Sequence, residues 1–195
     1  MHPKIEIGKY SYGPLLSQWP LIKRIGAFCC FAIGSCVVAN HPLAYISTHD
    51  FLYQGNLIWQ RECVPPISYE KRGMEKPLPL WYFPGVVPKK ESIPRDRRIE
   101  IGNDVWLGHN VIITNYANIG DGVVAGAGAV ITKDVPDYAV VAGVPARIVR
   151  YRYNKHQIEA LKRIAWWDWD DDKIRECYND FFLDIDTFIR KHKTW

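Results

Sequence analysis

The stretch from Ile101 to Val135 reads IGNDVWLGHNVIITNYANIGDGVVAGAGAVITKDV and repeats a pattern every six residues. An aliphatic residue or alanine recurs at every sixth position, and a small or β-branched residue stands four places after each. The first set comprises Ile101, Leu107, Ile113, Ile119, Ala125 and Ile131. The second set comprises Val105, Val111, Ala117, Val123, Ala129 and Val135. Glycine directly follows the first set at Gly102, Gly108, Gly120 and Gly126.

A period of six fits neither an α-helix nor an ordinary strand, which repeat at about 3.6 and 2 residues. It predicts an all-β triangular coil in which each side contributes one aliphatic residue to a narrow interior and small residues turn each corner. A less regular set, Ile25, Phe31, Val37 and Leu43, precedes it. The alternative is a β-sandwich, whose turn signals usually recur at about 8–12 residues.

Two other segments lack the six-residue period. Residues from about 50 to 98 hold seven of the thirteen prolines and several aromatic residues, which predicts a long functional excursion loop. From about Asn154 onward the spacing is helical, as at Ile158, Leu161 and Ala165. The expected division is therefore a coil domain at 1–153 and a helical cap at 154–195, placed over the open end of the coil.

Composition excludes several classes. The net charge of +4 and the scattered basic residues argue against nucleic acid. The apolar stretch at residues 25–39 is shorter than the roughly 20 apolar residues of a spanning helix, so no integral membrane segment is expected. Five cysteines without a CxxC pair indicate neither a disulfide framework nor a zinc knuckle. A cytoplasmic location and no metal are therefore expected.

Four segments resemble a known family. They are Asn40-His41-Pro42 followed by Ser47-Thr48, residues 101–108 (IGNDVWLG), residues 126–145 (GAGAVITKDVPDYAVVAGVP), and residues 166–176 (WWDWDDDKIRE). Together they resemble the hexapeptide-repeat xenobiotic acetyltransferases and their relatives that O-acetylate sugars and polysaccharides. The resemblance implies a left-handed parallel β-helix, a homotrimer with active sites between neighbouring coils, and acetyl-CoA as co-substrate.

The resemblance also implies site residues. His41 occupies the place of the family's histidine, and the acetyl-CoA contacts fall on His109, Ala127, Thr132, Lys133, Arg147 and Arg150. Lys133, Arg147 and Arg150 of that set, together with Arg152, place positive charge near the end of the coil, where CoA phosphates need it. Drug-acetylating members usually carry an aromatic residue and Pro-Phe after Ser-Thr. Here the chain has His49-Asp50-Phe51 instead, which leaves the acceptor open.

Acetyl transfer to a hydroxyl needs a base, because an alcohol is a weak nucleophile until its proton is removed. Histidine suits that task near neutral pH, and Pro42 favours an extended conformation at His41. His49 is the competing base, or it lines the acceptor pocket with Trp81 and Tyr82, whose rings can stack on a sugar face. The expected acceptor is a hydroxyl of a saccharide or glycan intermediate.

Three alternatives stand beside this interpretation. The first is an O-acetyltransferase that inactivates antibiotics of the chloramphenicol or streptogramin type. The second is a zinc hydratase of the carbonic-anhydrase type, with His41, His49 and His109 as ligands, although their spacing does not match that family's close pair. The third is a non-catalytic scaffold or binding module on the same fold.

Overall fold

The computed structural model describes residues 5–18, 21–38, 45–48, 52, 98–114 and 117–193. The chain divides into two compact units, one formed by Met1–Ala39 with Arg97–Trp195 and the other by Asn40–Asp96. The second unit covers most of the segment predicted as an excursion. Leu43, predicted to continue the early repeat, lies outside the described residues.

The described part of the first unit contains short strands arranged in three sheets. The strands are β1 (Glu6–Ile7), β2 (Ile22–Ile25), β3 (Cys30–Phe31), β4 (Cys36–Val38), β5 (Ile99–Ile101), β6 (Trp106–Leu107), β7 (Ile112–Thr114), β8 (Val124–Ala125), β9 (Val130–Ile131), β10 (Ala139–Ala142) and β11 (Arg147–Tyr151). The sheet orders are β1-β2-β5, β11-β10-β8-β6-β3 and β4-β7-β9. Every named pair is parallel except β10 with β11.

The register of these sheets explains the six-residue period. Trp106 pairs with Val124, and Ile112 pairs with Val130, so equivalent residues in neighbouring turns are three hexads apart. The chain therefore visits each of the three sheets once per turn, with six residues to a side. The strand pairing also joins the segments that precede and follow the second unit in sequence, because Ile25 in β2 pairs with Ile101 in β5.

The repeat fills the interior, as the sequence predicts. All twelve residues of the two sets are buried, and none exceeds the 6% exposure of Val135. Each fully buried Val, Leu or Ile side chain stabilises a fold by about 1.5–3 kcal/mol relative to its exposed state. Since every turn is buried only against its neighbours, the same residues also fix the parallel alignment of the turns.

The repeat glycines are required for the close packing of neighbouring turns, whereas the sequence pattern assigns small residues to turning the corners. A Cβ at Gly102 would lie 2.6 Å from the backbone nitrogen of Asp121, and one at Gly108 would lie 2.7 Å from that of Ala127. Both distances are shorter than any side chain tolerates. Glycine is required here because the backbones of neighbouring turns approach each other closely.

Polar side chains link the turns along one corner. The Asn103 side-chain oxygen accepts from the N–H of Ala27 at 2.8 Å, and Asp121 accepts from the N–H of Asn103 at 2.7 Å. Asp137 continues the series by accepting from the N–H of Asp121 at 2.9 Å. This ladder satisfies corner N–H groups that the strand pairing leaves free.

The structure contains a first turn that the six-residue pattern does not predict. Ile7 in β1 pairs with Ile25 in β2, and Leu15 is completely buried in the core. The sequence carries a short signal for it, because Ile7-Gly8 stands eighteen residues before Ile25-Gly26, which is one full turn. The rest of this first turn lacks the regular hexads that identify the later ones.

Three helices follow the strands: α1 (Lys155–Ile164), α2 (Asp171–Glu176) and α3 (Ile185–His192). The helical spacing from Asn154 is thus confirmed. Asn154 caps α1 by accepting from the N–H of Gln157, whose side chain binds the N–H of Asn154 in return. In the described part of the chain, no helix combines the length and apolar character needed to cross a membrane.

The helices pack along the side of the turns, whereas a cap over the open end was the expected position. Leu161, Trp167 and Phe188 share a buried cluster with Ala27 and Tyr138, which belong to an early and a late turn of the same corner. The last helices are amphipathic, and this corner offers them an aromatic surface several turns long. The structure therefore shows lateral contacts of the helices, and their role as a cap stays a prediction.

Candidate active site

Four of the predicted site residues lie outside the described residues: His41, His49, Trp81 and Tyr82. Their roles as base and acceptor-binding residues stay predictions. The six predicted acetyl-CoA contacts all belong to the first unit and are described. They are His109, Ala127, Thr132, Lys133, Arg147 and Arg150, and each of them is exposed.

His109 and Ala127 occupy the same corner in consecutive turns. The N–H of Gly128, next to Ala127, donates to the carbonyl of His109 at 2.8 Å. Gly128 has a φ of +72°, and a Cβ placed on it would meet no described heavy atom within 4 Å. The chain therefore turns here with a left-handed residue that has no described atom against it, so the described residues leave this corner accessible to a ligand.

Thr132 and Lys133 directly follow β9 on the next side. The Thr114 hydroxyl donates to the carbonyl of Ile131 at 3.1 Å and fixes the end of that strand against the preceding turn. The N–H of Ala146 donates to the carbonyl of Val130 at 2.8 Å. Because Ala146 precedes Arg147, the start of β11 lies beside the strand that leads to Thr132 and Lys133.

A bulge in β11 decides where two arginines point. Arg150 lies opposite Val140 and Arg147 lies opposite Ala142, with the register shifted by one residue between them. Residues three apart in a regular strand face opposite sides, but the extra residue, Val149, returns both arginines to one side. That side is the outer face of β10, since the alternate residue Val141 is buried.

The same outer face is largely apolar. A row of directly paired residues crosses the five-stranded sheet and ends at Arg150, and it consists of Cys30, Trp106, Val124 and Val140. The Trp106 side chain keeps 53% of its exposure. Sequence reasoning did not single out Trp106, although an aromatic residue at a variable hexad position was the available signal.

Most basic residues of the predicted cofactor site lack carboxylate partners among the described residues. Among the described residues, Lys133, Arg147 and Arg150 form no ion pair, and the two arginines each donate to a neighbouring backbone carbonyl, of Ala146 at 3.0 Å and of Tyr151 at 3.2 Å. Three cations without carboxylate partners can bind an anionic group such as a phosphate.

Arg152 differs from the other basic residues at this end. Its Nη1 donates to Asp104 at 2.9 Å and to the carbonyl of Gly122 at 2.8 Å, and its guanidinium lies over the Tyr138 ring. Burial raises the pKa of the Asp104 carboxyl, and Arg152 offsets part of that effect. The expectation that Arg152 adds charge for phosphates is therefore wrong, because Asp104 neutralises it.

Comparison with known proteins identifies acetyltransferases. The chain is 33% identical over 153 residues to a probable macrolide acetyltransferase of Lysinibacillus sphaericus, covering 77% of the chain and 71% of that protein. It is 43% identical over 121 residues to a chloramphenicol acetyltransferase of Morganella morganii, covering 60% of the chain and 57% of that protein. A galactoside O-acetyltransferase of Escherichia coli is 52% identical over 52 residues, covering 27% of the chain and 26% of that protein. No family model matches the chain.

The identity of 33% over 71% of the length of the probable macrolide acetyltransferase is enough to place both proteins in one family. The name of that relative agrees with the repeat, the motifs and the exposed corner described above. The chain belongs to the hexapeptide-repeat acetyltransferases, the family of xenobiotic and sugar O-acetyltransferases, and is an acetyl-transferring enzyme.

Proposed function

We propose that the chain is a left-handed parallel β-helix that transfers the acetyl group of acetyl-CoA to a hydroxyl of a saccharide or glycan intermediate. The observation that carries the cofactor part is the accessible corner of His109 and Ala127, with Arg147, which has no ion-pair partner among the described residues, beside the adjoining strand. A pantetheine chain can lie against such a corner, while the cations bind the phosphates of CoA.

In this mechanism His41 removes the proton of the acceptor hydroxyl while that oxygen attacks the thioester carbon. The acetyl group moves to the acceptor oxygen, and CoA leaves as the thiol after receiving the proton. A histidine can perform both proton transfers near neutral pH. His49, Trp81 and Tyr82 orient the acceptor by polar contact and by stacking on the sugar ring.

The choice of a sugar acceptor rests on the aromatic and basic residues of the segment predicted as an excursion, and on the kinship with a galactoside O-acetyltransferase. The second candidate is an O-acetyltransferase acting on antibiotics, which the names of the macrolide and chloramphenicol relatives favour. A panel of sugar nucleotides, glycans and both drugs, incubated with acetyl-CoA and followed by mass spectrometry, separates them. Turnover of a drug with none of any glycan would reverse the order.

His41→Ala tests the base. We expect kcat to fall by about two to four orders of magnitude with little change in acetyl-CoA affinity, which is the usual loss when a general base is removed. His156, which is exposed on α1, supplies the matched control. Near-normal turnover of His41→Ala would move the base to another residue, with His49 tested next.

Lys133→Ala and Arg147→Ala test the cofactor groove. We expect each to raise the KM for acetyl-CoA more than it lowers kcat, because phosphate contacts far from the thioester bind the ground and transition states alike. Arg24→Ala is the control, since Arg24 is exposed on the three-stranded sheet that contains β1. Unchanged KM in both variants would show that CoA binds elsewhere.

We also propose a homotrimer in the cytoplasm. The apolar outer row around Trp106 contrasts with the polar outer row of Glu6, Arg24 and Glu100, so one face suits a second copy and the other suits water. The described cysteines are free thiols, which fits a reducing compartment.

Light scattering tests the trimer. It should give a mass of about three times the 22.5 kDa of one chain, and Trp106→Arg should lower that mass. An active monomer would refute the trimer.

A further inference from the structure

A group of potential ligand atoms lies among the C-terminal helices. Cys177 lies between α2 and the 3-10 turn Tyr178–Phe182 and caps both, and the N–H of Asp180 donates to the carbonyl of Cys177 at 2.9 Å. In a 3-10 turn, side chains three residues apart lie on the same face. The thiol of Cys177 and the carboxylate of Asp180 therefore project to one side.

The third member comes from the last turn of α3. His192 Nε2 lies 3.0 Å from Asp180 Oδ2, and the two side chains keep only 8% and 12% of their exposure. The imidazole packs against Trp169 and Phe188, with ring centroids 4.9 and 4.7 Å away. One ligand atom from each of Cys177, Asp180 and His192 lies within 4.8 Å of the other two.

The 3.0 Å between His192 Nε2 and Asp180 Oδ2 is close to the separation of two ligand atoms around a bound zinc ion. Tetrahedral zinc with bonds of roughly 2.0 Å to nitrogen and oxygen and 2.3 Å to sulfur separates its ligand atoms by about 3.3–3.5 Å. The nitrogen and oxygen already lie near that separation, and the sulfur can reach it through a small side-chain movement. A set of one thiolate, one imidazole and one carboxylate favours zinc over calcium or magnesium, which prefer oxygen.

We propose that Cys177, Asp180 and His192 bind one zinc ion, with water in the fourth position. On binding, the Cys177 thiol releases its proton to solvent and the imidazole binds in its neutral form. The ion then joins α3 to the Cys177–Phe182 turn. This site is separate from acetyl transfer and does not rest on the proposed function.

Lys191 sets the strength of this site. Its Nζ lies 2.7 Å from Asp180 Oδ1, so it binds one carboxylate oxygen and leaves Oδ2 towards His192. The ammonium repels a metal cation, but its side chain is 57% exposed and can turn into solvent. We therefore expect Lys191→Met to tighten zinc binding, an effect that binding elsewhere on the surface would not show.

The test uses the full-length chain without a histidine tag, freed of metal by chelation and titrated with cobalt(II) and zinc. One cobalt per chain should give a thiolate-to-cobalt charge-transfer band, which zinc should abolish. Cys177→Ser should remove the band, and His192→Gln should weaken zinc binding at least about tenfold. Cys36→Ser, at a half-buried thiol on β4, should leave both unchanged.

Melting temperatures of the metal-free variants verify that each is folded, and zinc should raise that of the parent but not that of Cys177→Ser. If Cys177→Ser fails to fold, the zinc affinity of Lys191→Met compared with that of the parent decides whether zinc binds at this site. No saturable binding, a cobalt band that survives Cys177→Ser, or zinc affinity unaffected by both His192→Gln and Lys191→Met would each overturn the site.

Discussion

Removing Arg152 should destabilise the fold more than removing any neighbouring arginine. Arg152 donates to the carboxylate of Asp104 and to the carbonyl of Gly122, and its guanidinium contacts the rings of Tyr138 and Tyr153. Arg152→Met keeps much of the aliphatic packing but leaves a largely buried carboxylate and a carbonyl without their donor. The loss is therefore electrostatic for the most part.

The size of the loss follows from burial. Breaking one side of a buried ion pair usually costs about 3–5 kcal/mol. Arg152 and Asp104 retain 27% and 28% of their side-chain exposure, so water screens part of the charge. We expect a loss of about 2–3 kcal/mol, which lowers the melting temperature of a chain of this size by roughly 4–12 °C.

The loss should also depend on pH. Burial already raises the pKa of Asp104 above its unfolded value, so the folded state holds the proton more tightly. The stability of the fold therefore decreases as the pH rises from the unfolded pKa of Asp104 to its folded pKa. Without Arg152 the pKa of Asp104 rises further. The deficit of Arg152→Met should therefore be greatest near neutral pH and smaller near about pH 4.5, where more of Asp104 is protonated in both states.

Thermal denaturation of Arg152→Met at both pH values checks this reasoning, with Arg150→Met as the exposed control. Adding Asp104→Asn to Arg152→Met should recover part of the stability, because the unpaired charge is gone. A loss equal to that of Arg150→Met, a deficit that does not change with pH, or simple additivity in the double variant would refute the argument.

Three further outcomes are expected. Tyr138→Phe should keep or raise the melting temperature, because the Tyr138 hydroxyl is buried and has no hydrogen-bond partner among the described atoms, an arrangement that costs about 1–3 kcal/mol; a clear drop in a thermal scan would contradict this. Gly108→Ala should destabilise more than Gly126→Ala in urea titrations, because its Cβ would lie 2.7 Å from the Ala127 nitrogen whereas a Cβ on Gly126 would lie 3.4 Å from its nearest described atom; equal losses would argue against close packing of the turns. Cys29 should stay unmodified by iodoacetamide at pH 8 in peptide mass spectra, because burial raises the pKa of its thiol to about 11; rapid labelling of the folded chain would show that the thiol is accessible.

The amino-acid sequence by itself predicted the interior and the chemistry class of this protein. Each hexad from Ile101 to Val135 contributes its two predicted residues to the core, because the pattern reflects burial that repeats on every side. The helical spacing after Asn154 was equally local, since capping and amphipathic periodicity act within one element. The motifs around the repeat led to the acetyltransferase family, and its relatives confirm that membership.

Only the tertiary structure decided features that depend on residues far apart in the chain. The bulge at Val149 places Arg147 and Arg150 on one face, and the pairing with Asp104 removes Arg152 from the available charges. The lateral packing of the helices and the group formed with His192 arise in the same way, from contacts between separate elements. A periodic pattern reports which residues are buried, but register, bulges and ion pairs are set by which partner each residue meets in the folded chain.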